Sequence, residues 1–211
     1  MSLKVITVPP TAGKEPVGLI VALHGWGANN KDLASLVPVL NLPEYQFLFP
    51  EAPFPHPYSS IGRMWYDLSN GQHQGYQESR QQLTDWLKSL ESSTGVPLSR
   101  TVLSGFSQGA AMTLDVGLSL PVAGAIALSG YLHPISNPAN GNFPPVLIVH
   151  GRQDSVVPLK AAQNAQDNLA RLGVSVEYHE FDMAHEIRPE VLPVIRNFVL
   201  GVTMEASQKL H

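Results

Sequence analysis

Short, nearly continuous apolar runs alternate along this chain with longer segments in which apolar residues recur every three or four positions. The first rhythm marks strands covered on both faces; the second marks helices laid against them. Lys4 to Val8 alternates as an edge strand and is stopped by Pro9-Pro10. Val17 to Leu23 is apolar almost throughout and runs into the glycine-rich loop His24-Gly25-Trp26-Gly27-Ala28-Asn29-Asn30. Asn30 is expected to cap a helix reaching about Leu40, with Leu33, Leu36, Val37 and Leu40 on one face. Gln46 to Phe49 reads as a short strand, and residues 50 to 74 as a long irregular segment rich in proline and aromatics. Gly75 to Leu90 is an amphipathic helix that buries Leu83, Trp86, Leu87 and Leu90.

The second half keeps the same order. Thr101 to Phe106 is a strand that feeds directly into a helix, and Val122 to Leu128 and Pro145 to Val149 are buried strands. Val156 to Leu172 is a loop and helix, and Val174 to Phe181 alternates as a strand. Arg188 to Val202 is a last helix with prolines near its start, and Thr203 to His211 reads as a frayed end. Strands alternating with helices at this spacing predict an α/β chain with a mostly parallel central sheet and helices on both faces. Right-handed crossovers place the C-terminal ends of the strands along one edge, where ligands bind in such sheets. The loops that begin at His24, Ser107, His150 and Phe181 are thereby expected to share one surface. No linker interrupts the pattern, so residues 1–211 are read as one domain.

Composition narrows the chemistry. A net charge of −4 with 13 scattered basic residues argues against a nucleic-acid partner or a polybasic membrane surface. The chain has no cysteine, which removes disulfides, thiolate metal sites and a cysteine nucleophile, and is in keeping with a cytoplasmic location. Residues 1 to 9 lack the apolar core of a signal peptide, and no run is long enough for a membrane span.

At the join of strand and helix stands Gly105-Phe106-Ser107-Gln108-Gly109. This is the G-x-S-x-G pattern of a nucleophile elbow, a turn so tight that the serine backbone is strained and its hydroxyl projects from the sheet. The pattern is short enough to arise by chance, but here it sits in the strand–turn–helix context that gives it meaning. Serine needs a base to take its proton, and imidazole is the usual one. Of eight histidines, the chain order nucleophile, acid, base excludes His24, His56 and His73. His185, between the last strand and the last helix, is the expected base. Asp154, just after a buried strand and between Ser107 and His185, is the expected acid. Asp182 is its rival, and Asp115 would lie too deep along the elbow helix. The oxyanion of a tetrahedral intermediate requires two N–H donors. The Gln108 N–H is one, and the glycine loop supplies the other through Trp26.

Competing readings of the same residues are weaker. Gly25-x-Gly27 lacks the third glycine of a dinucleotide loop, since Asn30 stands there, and neither a phosphate-binding G-x-x-x-x-G-K motif nor H-E-x-x-H occurs. No cofactor and no metal are expected. Trp65, with Tyr66, Phe54 and Tyr58, either lines a groove for an acyl chain or packs its own loop; for Trp65 both readings stand, and Phe54 and Tyr58 lean towards packing. Asp67 is read as a hydrogen bonder that orders this loop. A non-catalytic binding module would normally have lost one of Ser107, Asp154 and His185, and all are present.

With these residues assembled, the chain resembles the phospholipase/carboxylesterase family of α/β-hydrolases, the group that includes acyl-protein thioesterases. The likeness covers nearly the whole length. It rests on Leu23-His24-Gly25-Trp26-Gly27, Pro50-Glu51-Ala52-Pro53, Met64-Trp65-Tyr66-Asp67 and Gly105-Phe106-Ser107-Gln108-Gly109-Ala110. His150-Gly151 with Asp154, Val157-Pro158 and His185 complete it. The resemblance implies an α/β-hydrolase fold without a large cap domain. It also implies a serine hydrolase of small carboxylic esters, thioesters or lysophospholipids; no cofactor is expected, and the expected partner is a small ester or thioester, with the chain a monomer or homodimer. Two departures bear on the acyl pocket: the Phe54 to Gly62 loop carries prolines and aromatics of its own, and Trp26 stands where many relatives have a smaller aliphatic residue.

Overall fold

The computed structural model describes residues 3–13, 15–134 and 142–208. Its strands and helices, in chain order, are β1 (Val5–Val8), β2 (Gly18–Leu23), α1 (Val37–Leu40), β3 (Tyr45–Pro50), β4 (Phe54–Pro55), β5 (Arg63–Met64), α2 (Tyr76–Thr94), β6 (Thr101–Phe106), α3 (Gln108–Gly117), β7 (Gly124–Leu128), β8 (Val146–Gly151), α4 (Leu159–Arg171), β9 (Val176–Phe181) and α5 (Leu192–Gln208). Seven strands form the central sheet in the order β1-β3-β2-β6-β7-β8-β9. Only β1 runs antiparallel to its neighbour; the other pairs are parallel. The mostly parallel α/β fold expected from the alternation is therefore observed, and it is an α/β-hydrolase fold.

Side chains alternate across the sheet as the pleat requires. Leu19, Val21 and Leu23 of β2 join Leu83, Leu87 and Met112 in a core beneath α2 and α3. Ile20 of the same strand points the other way, towards Leu40, Ile195 and Phe198 on α1 and α5. Each fully buried leucine contributes about 1.5–3 kcal/mol by leaving water. The helix α2 begins one residue after the expected start and runs four beyond the expected end, then stops at Gly95, whose left-handed backbone (φ 73°) returns its N–H to the Glu91 carbonyl at 2.9 Å.

Chain order creates the crevice. After β2 the chain moves outward to β3, then returns past β2 to β6, so the connections on either side of the β2–β6 pair depart in opposite directions. The strand ends are level there: Leu23 pairs with Gly105, Phe106 with Leu128, Leu128 with Val149, and Gly151 with Phe181. The loops at His24, Ser107, Arg152 and Asp182 thus leave from one edge, joined by the loop that follows β7.

Two elements differ from expectation. The helix predicted from Asn30 is instead a 3-10 turn at Leu33–Leu36 followed by the single-turn α1. Local side-chain bonds explain the late start, because Asn29 Oδ1 accepts from the Lys31 N–H and Asp32 Oδ2 from the Asn29 N–H, which holds this stretch in a turn. The expected frayed end is also wrong as far as residue 208, since α5 continues to Gln208; the remainder of that stretch lies outside the described residues. No helix among the described residues is long and apolar enough to cross a membrane.

Gly109 marks the tightest join in this architecture. A Cβ there would stand 2.2 Å from the Leu23 carbonyl oxygen and 2.6 Å from that of His24. Gly109→Ala therefore forces backbone apart where no flexible side chain can yield. Overpacking of this kind costs about 1–3 kcal/mol or more, and the expected fall in Tm is roughly 5–10 °C, read by thermal melting.

Candidate active site

The strand β6, buried from Thr101 to Gly105, delivers Ser107 to the sheet edge with φ 54° and ψ −117°, outside the regions open to an ordinary L-residue. Holding a residue there costs about 1–3 kcal/mol and persists only if neighbours enforce it. Here they do: the Ser107 N–H donates to the Leu128 carbonyl at 2.9 Å, and the Ser107 carbonyl accepts from Ala110 and Ala111 at 3.0 and 3.2 Å. A Cβ on Gly105 would fall 2.2 Å from the Gly109 carbonyl oxygen, so the strand can approach the first helical turn only without a side chain. Ser107 itself is half-buried, whereas Gln108 to Leu114 are all buried. The serine is the point at which α3 reaches the surface.

The loops after β8 and β9 are tied together by main-chain bonds, Arg152 N–H to Phe181 O at 2.8 Å and Gln153 N–H to Met183 O at 3.1 Å. This brings Asp154 Oδ2 to 2.7 Å from His185 Nδ1. Asp154 Oδ1 accepts from the Val156 and Val157 N–H groups at 2.9 and 2.8 Å. Burial pushes the Asp154 carboxyl up, but the bonds from His185 and these two amides outweigh it and hold the group below the ordinary carboxylate value. An ionised carboxylate only accepts, so the proton lies on His185 Nδ1 and the lone pair on Nε2. The ring of His185 stands 4.7 Å from that of Phe106, the residue before Ser107. Of the rival acids, Asp182 is 77 % exposed and pairs with Arg152 at 2.7 Å, and Asp115 pairs with Arg80 at 2.9 Å. It is Asp154 that the fold brings to the imidazole.

The glycine loop comes equally close. A Cβ on Gly25 would lie 3.4 Å from Ser107 Cβ. Neither the Trp26 N–H nor the Gln108 N–H donates to a partner among the described residues, and Gln108 opens α3, where the helix dipole adds positive character. His24 anchors this loop from below. Its Nε2 accepts the Ala52 N–H at 3.1 Å, so its proton lies on Nδ1, which donates to the Gly25 carbonyl at 2.8 Å. Burial lowers its pKa and favours this neutral form. From above, the 54–64 hairpin clamps the loop through Gly27 N–H to Arg63 O at 2.9 Å and Arg63 N–H to Ala28 O at 2.7 Å, while His56 stacks edgewise on Trp26 at 4.2 Å. This small antiparallel pair, β4 with β5, stands inside the segment expected to be irregular.

Trp65 does not line a groove. It is fully buried, and its indole N–H donates to the His24 carbonyl at 3.0 Å, so the expectation of substrate contact is replaced by a packing role beneath the glycine loop. Phe54 packs over Gly75, whereas Tyr58, expected to pack, is 76 % exposed. Asp67 orders its loop through the Ser69 N–H at 2.7 Å. The sequence reading missed the side chain of Gln108, whose Oε1 accepts from Trp65 N–H at 2.9 Å and whose Nε2 donates to Tyr66 O at 2.7 Å. A long amide at the start of a buried helix must find such partners, which was the available signal. It also missed the cluster beyond: the Tyr66 hydroxyl meets Tyr131 and, at 2.9 Å, His133 Nε2. Burial, opposed by Asp115, pushes the pKa of His133 down to about 4. Among the described residues, no group of three or more acidic or histidine side chains is placed to hold a metal ion.

Comparison with known proteins agrees with this architecture. The Phospholipase/Carboxylesterase family model matches residues 7–202. Acyl-protein thioesterase 1 of Neurospora crassa is 29% identical over 208 residues, covering 85% of this chain and 84% of that protein. Acyl-protein thioesterase 1 of Mycosarcoma maydis is 28% identical, with 93% and 96% covered. The crystal structure of esterase PE8 superposes with a TM-score of 0.85 at 29% identity, over 96% of this chain and all of that one.

The depressed pKa of His133 fixes a pH response. Between its unfolded value near 6.5 and about 4 the unfolded chain binds the proton that the folded chain refuses, so stability is full above that window and lost as pH falls through it. Urea unfolding at pH 7.5 and pH 5 is expected to show a loss of about 2 kcal/mol from this residue, and His133→Gln is expected to lack that share.

Proposed function

The chain belongs to the phospholipase/carboxylesterase family and is a serine hydrolase, and we propose that it is a carboxylesterase acting on small esters with short- to medium-chain acyl groups. In this reading Ser107 is the nucleophile, His185 the general base and acid, Asp154 the group that orients His185, and the Trp26 and Gln108 N–H groups the oxyanion donors. The observation that carries it is the 2.7 Å bond from His185 Nδ1 to Asp154 Oδ2, which leaves the lone pair on Nε2 of a ring that packs 4.7 Å from Phe106, the residue before the strained Ser107.

Ser107 Oγ attacks the acyl carbonyl carbon as its proton passes to His185 Nε2. The carbonyl π electrons move to oxygen, and the resulting charge is met by the Trp26 and Gln108 N–H groups. Asp154 stabilises the imidazolium without taking its proton. Collapse of the intermediate breaks the bond to the leaving oxygen, which receives the proton from Nε2. Water then attacks the acyl-enzyme with His185 again as base, releasing the carboxylic acid and restoring Ser107. No step calls for a cofactor. The lack of cysteine is compatible with work in a reducing cytoplasm, as a monomer or homodimer.

A second reading has a specific ground, because the curated relatives reported above are named acyl-protein thioesterases. It requires room for a long fatty chain. A panel crossing acyl length with ester or thioester linkage separates the two: highest kcat/KM on short and medium esters is expected, and a maximum on long-chain thioesters would replace the carboxylesterase reading.

Ser107→Ala is expected to lower kcat on p-nitrophenyl butyrate by several orders of magnitude while leaving the melting curve intact; near-normal turnover would sink the assignment. Asp154→Asn presents the wrong tautomer and is expected to lower kcat about 10³–10⁴-fold with little change in KM, measured on the same ester.

A further inference from the structure

The two N–H groups read above as oxyanion donors come from separate parts of the chain, and such a pair works only if its geometry is held to about 0.5 Å. A continuous path of buried hydrogen bonds joins them. Gln108, whose own N–H is one donor, turns its side chain inward: Oε1 accepts the Trp65 N–H at 2.9 Å, and Nε2 donates to the Tyr66 carbonyl at 2.7 Å. The Trp65 indole donates to the His24 carbonyl at 3.0 Å, and His24 Nδ1 donates to the Gly25 carbonyl at 2.8 Å. That last carbonyl shares its peptide unit with the Trp26 N–H, and in a trans peptide the two point opposite ways. Drawing the Gly25 carbonyl onto His24 therefore aims the Trp26 N–H away from that ring.

The path has little freedom to move. Gln108, Trp65 and Tyr66 are fully buried, and His24 nearly so. A main-chain N–H only donates and a carbonyl only accepts, so the Gln108 amide has one orientation that satisfies both partners. The Trp65 carbonyl accepts from the Ser79 hydroxyl, which ties the middle of the path to α2. A methionine at 108 and a phenylalanine at 65 would fill much of the same volume; what the amide and the indole N–H add is direction. Resting on the serine hydrolase reading above, we propose that the Gln108 side chain and Trp65 are positioning residues for the reaction, which together fix how the two oxyanion donors are aimed relative to one another. Their effect then falls on the tetrahedral intermediate and not on the binding of the planar ester.

The test uses Gln108→Met and Trp65→Phe, each of which breaks one link of the path and leaves both main-chain donors in place. Each is expected to lower kcat on p-nitrophenyl butyrate about 10- to 100-fold with KM within about twofold. The Ki of a trifluoromethyl ketone, whose adduct with Ser107 carries the same oxyanion, is expected to rise by the same factor as kcat falls. Because the two side chains act in series, the double variant is expected to lose about as much as the worse single, not the product of the two. Tyr45→Phe removes the buried 2.6 Å bond between Tyr45 and Thr203 at the opposite end of the strands; it is expected to lower Tm and leave kcat unchanged, which separates stability from positioning. Losses that multiply in the double variant, a Ki that holds while kcat falls, or a change in KM alone would overturn the proposal. If Gln108→Met does not fold, Trp65→Phe decides the matter through the ratio of Ki to KM. Failure of the serine reading has a different signature: in the wild type, no labelling of Ser107 by a fluorophosphonate and no hydrolysis of any ester.

Discussion

Much of this structure follows from how closely the end of β2 approaches the first turn of α3. The two backbones touch at Gly109, where the carbonyls of Leu23 and His24 occupy the space a side chain would need. That contact sets the separation between the glycine loop and the start of the elbow helix, and hence between the Trp26 and Gln108 amides. It also explains why β6 enters the helix without a spacer. With Gly105 pressed on the Gly109 carbonyl, the chain has no room to relax, and Ser107 takes up the strain. The sheet core beneath, where Leu19, Val21, Leu23 and Leu103 are all fully buried, supplies the rigidity that keeps the strain in place.

Around this contact the buried polar groups are arranged so that each imidazole has one defined proton position. His24 is neutral with its proton on Nδ1, fixed by the amide it accepts from Ala52. His150, fully buried on β8, directs Nε2 at the Val157 carbonyl at 2.8 Å and stands 3.5 Å from Asp154 Oδ2, so it braces the turn that carries the acid. His185 points its protonated nitrogen at Asp154. Low-dielectric surroundings make each of these bonds costly to leave unmade, which is what gives the loops their definition without regular secondary structure.

The sheet, its crossovers and the positions of Ser107, Asp154 and His185 were legible because they depend on periodicity and chain order, which a sequence displays directly. Residues 33–40 were misread for a local reason. The apolar spacing is helical, but Asn29 and Asp32 spend their side chains on nearby amides and delay the helix by a turn. Trp65 was undecidable from sequence, since a tryptophan in a proline-rich loop looks the same whether its indole meets substrate or the His24 carbonyl. The partners of Gln108 and the Tyr66–Tyr131–His133 cluster were not legible for a further reason: these bonds join residues 42 to 67 positions apart, and no periodicity encodes such a pairing.

The hairpin at 54–64 holds the glycine loop by main-chain groups, Gly27 to Arg63 and Arg63 to Ala28. A brace built from backbone constrains side chains at few positions, chiefly Gly62, where a Cβ would stand 2.5 Å from the Gly27 carbonyl oxygen, and Ser59, whose Oγ accepts the Gly62 N–H at 2.9 Å. Arg63 keeps its place through the carbonyls of Ala52 and Pro53, which any residues at those positions would offer. On the outward face of the hairpin Tyr58 and Ile61 stand in solvent and take no part in holding the loop beneath. Substitutions at Tyr58 or Ile61 would therefore alter the surface above the glycine loop and leave its main-chain clamp in place.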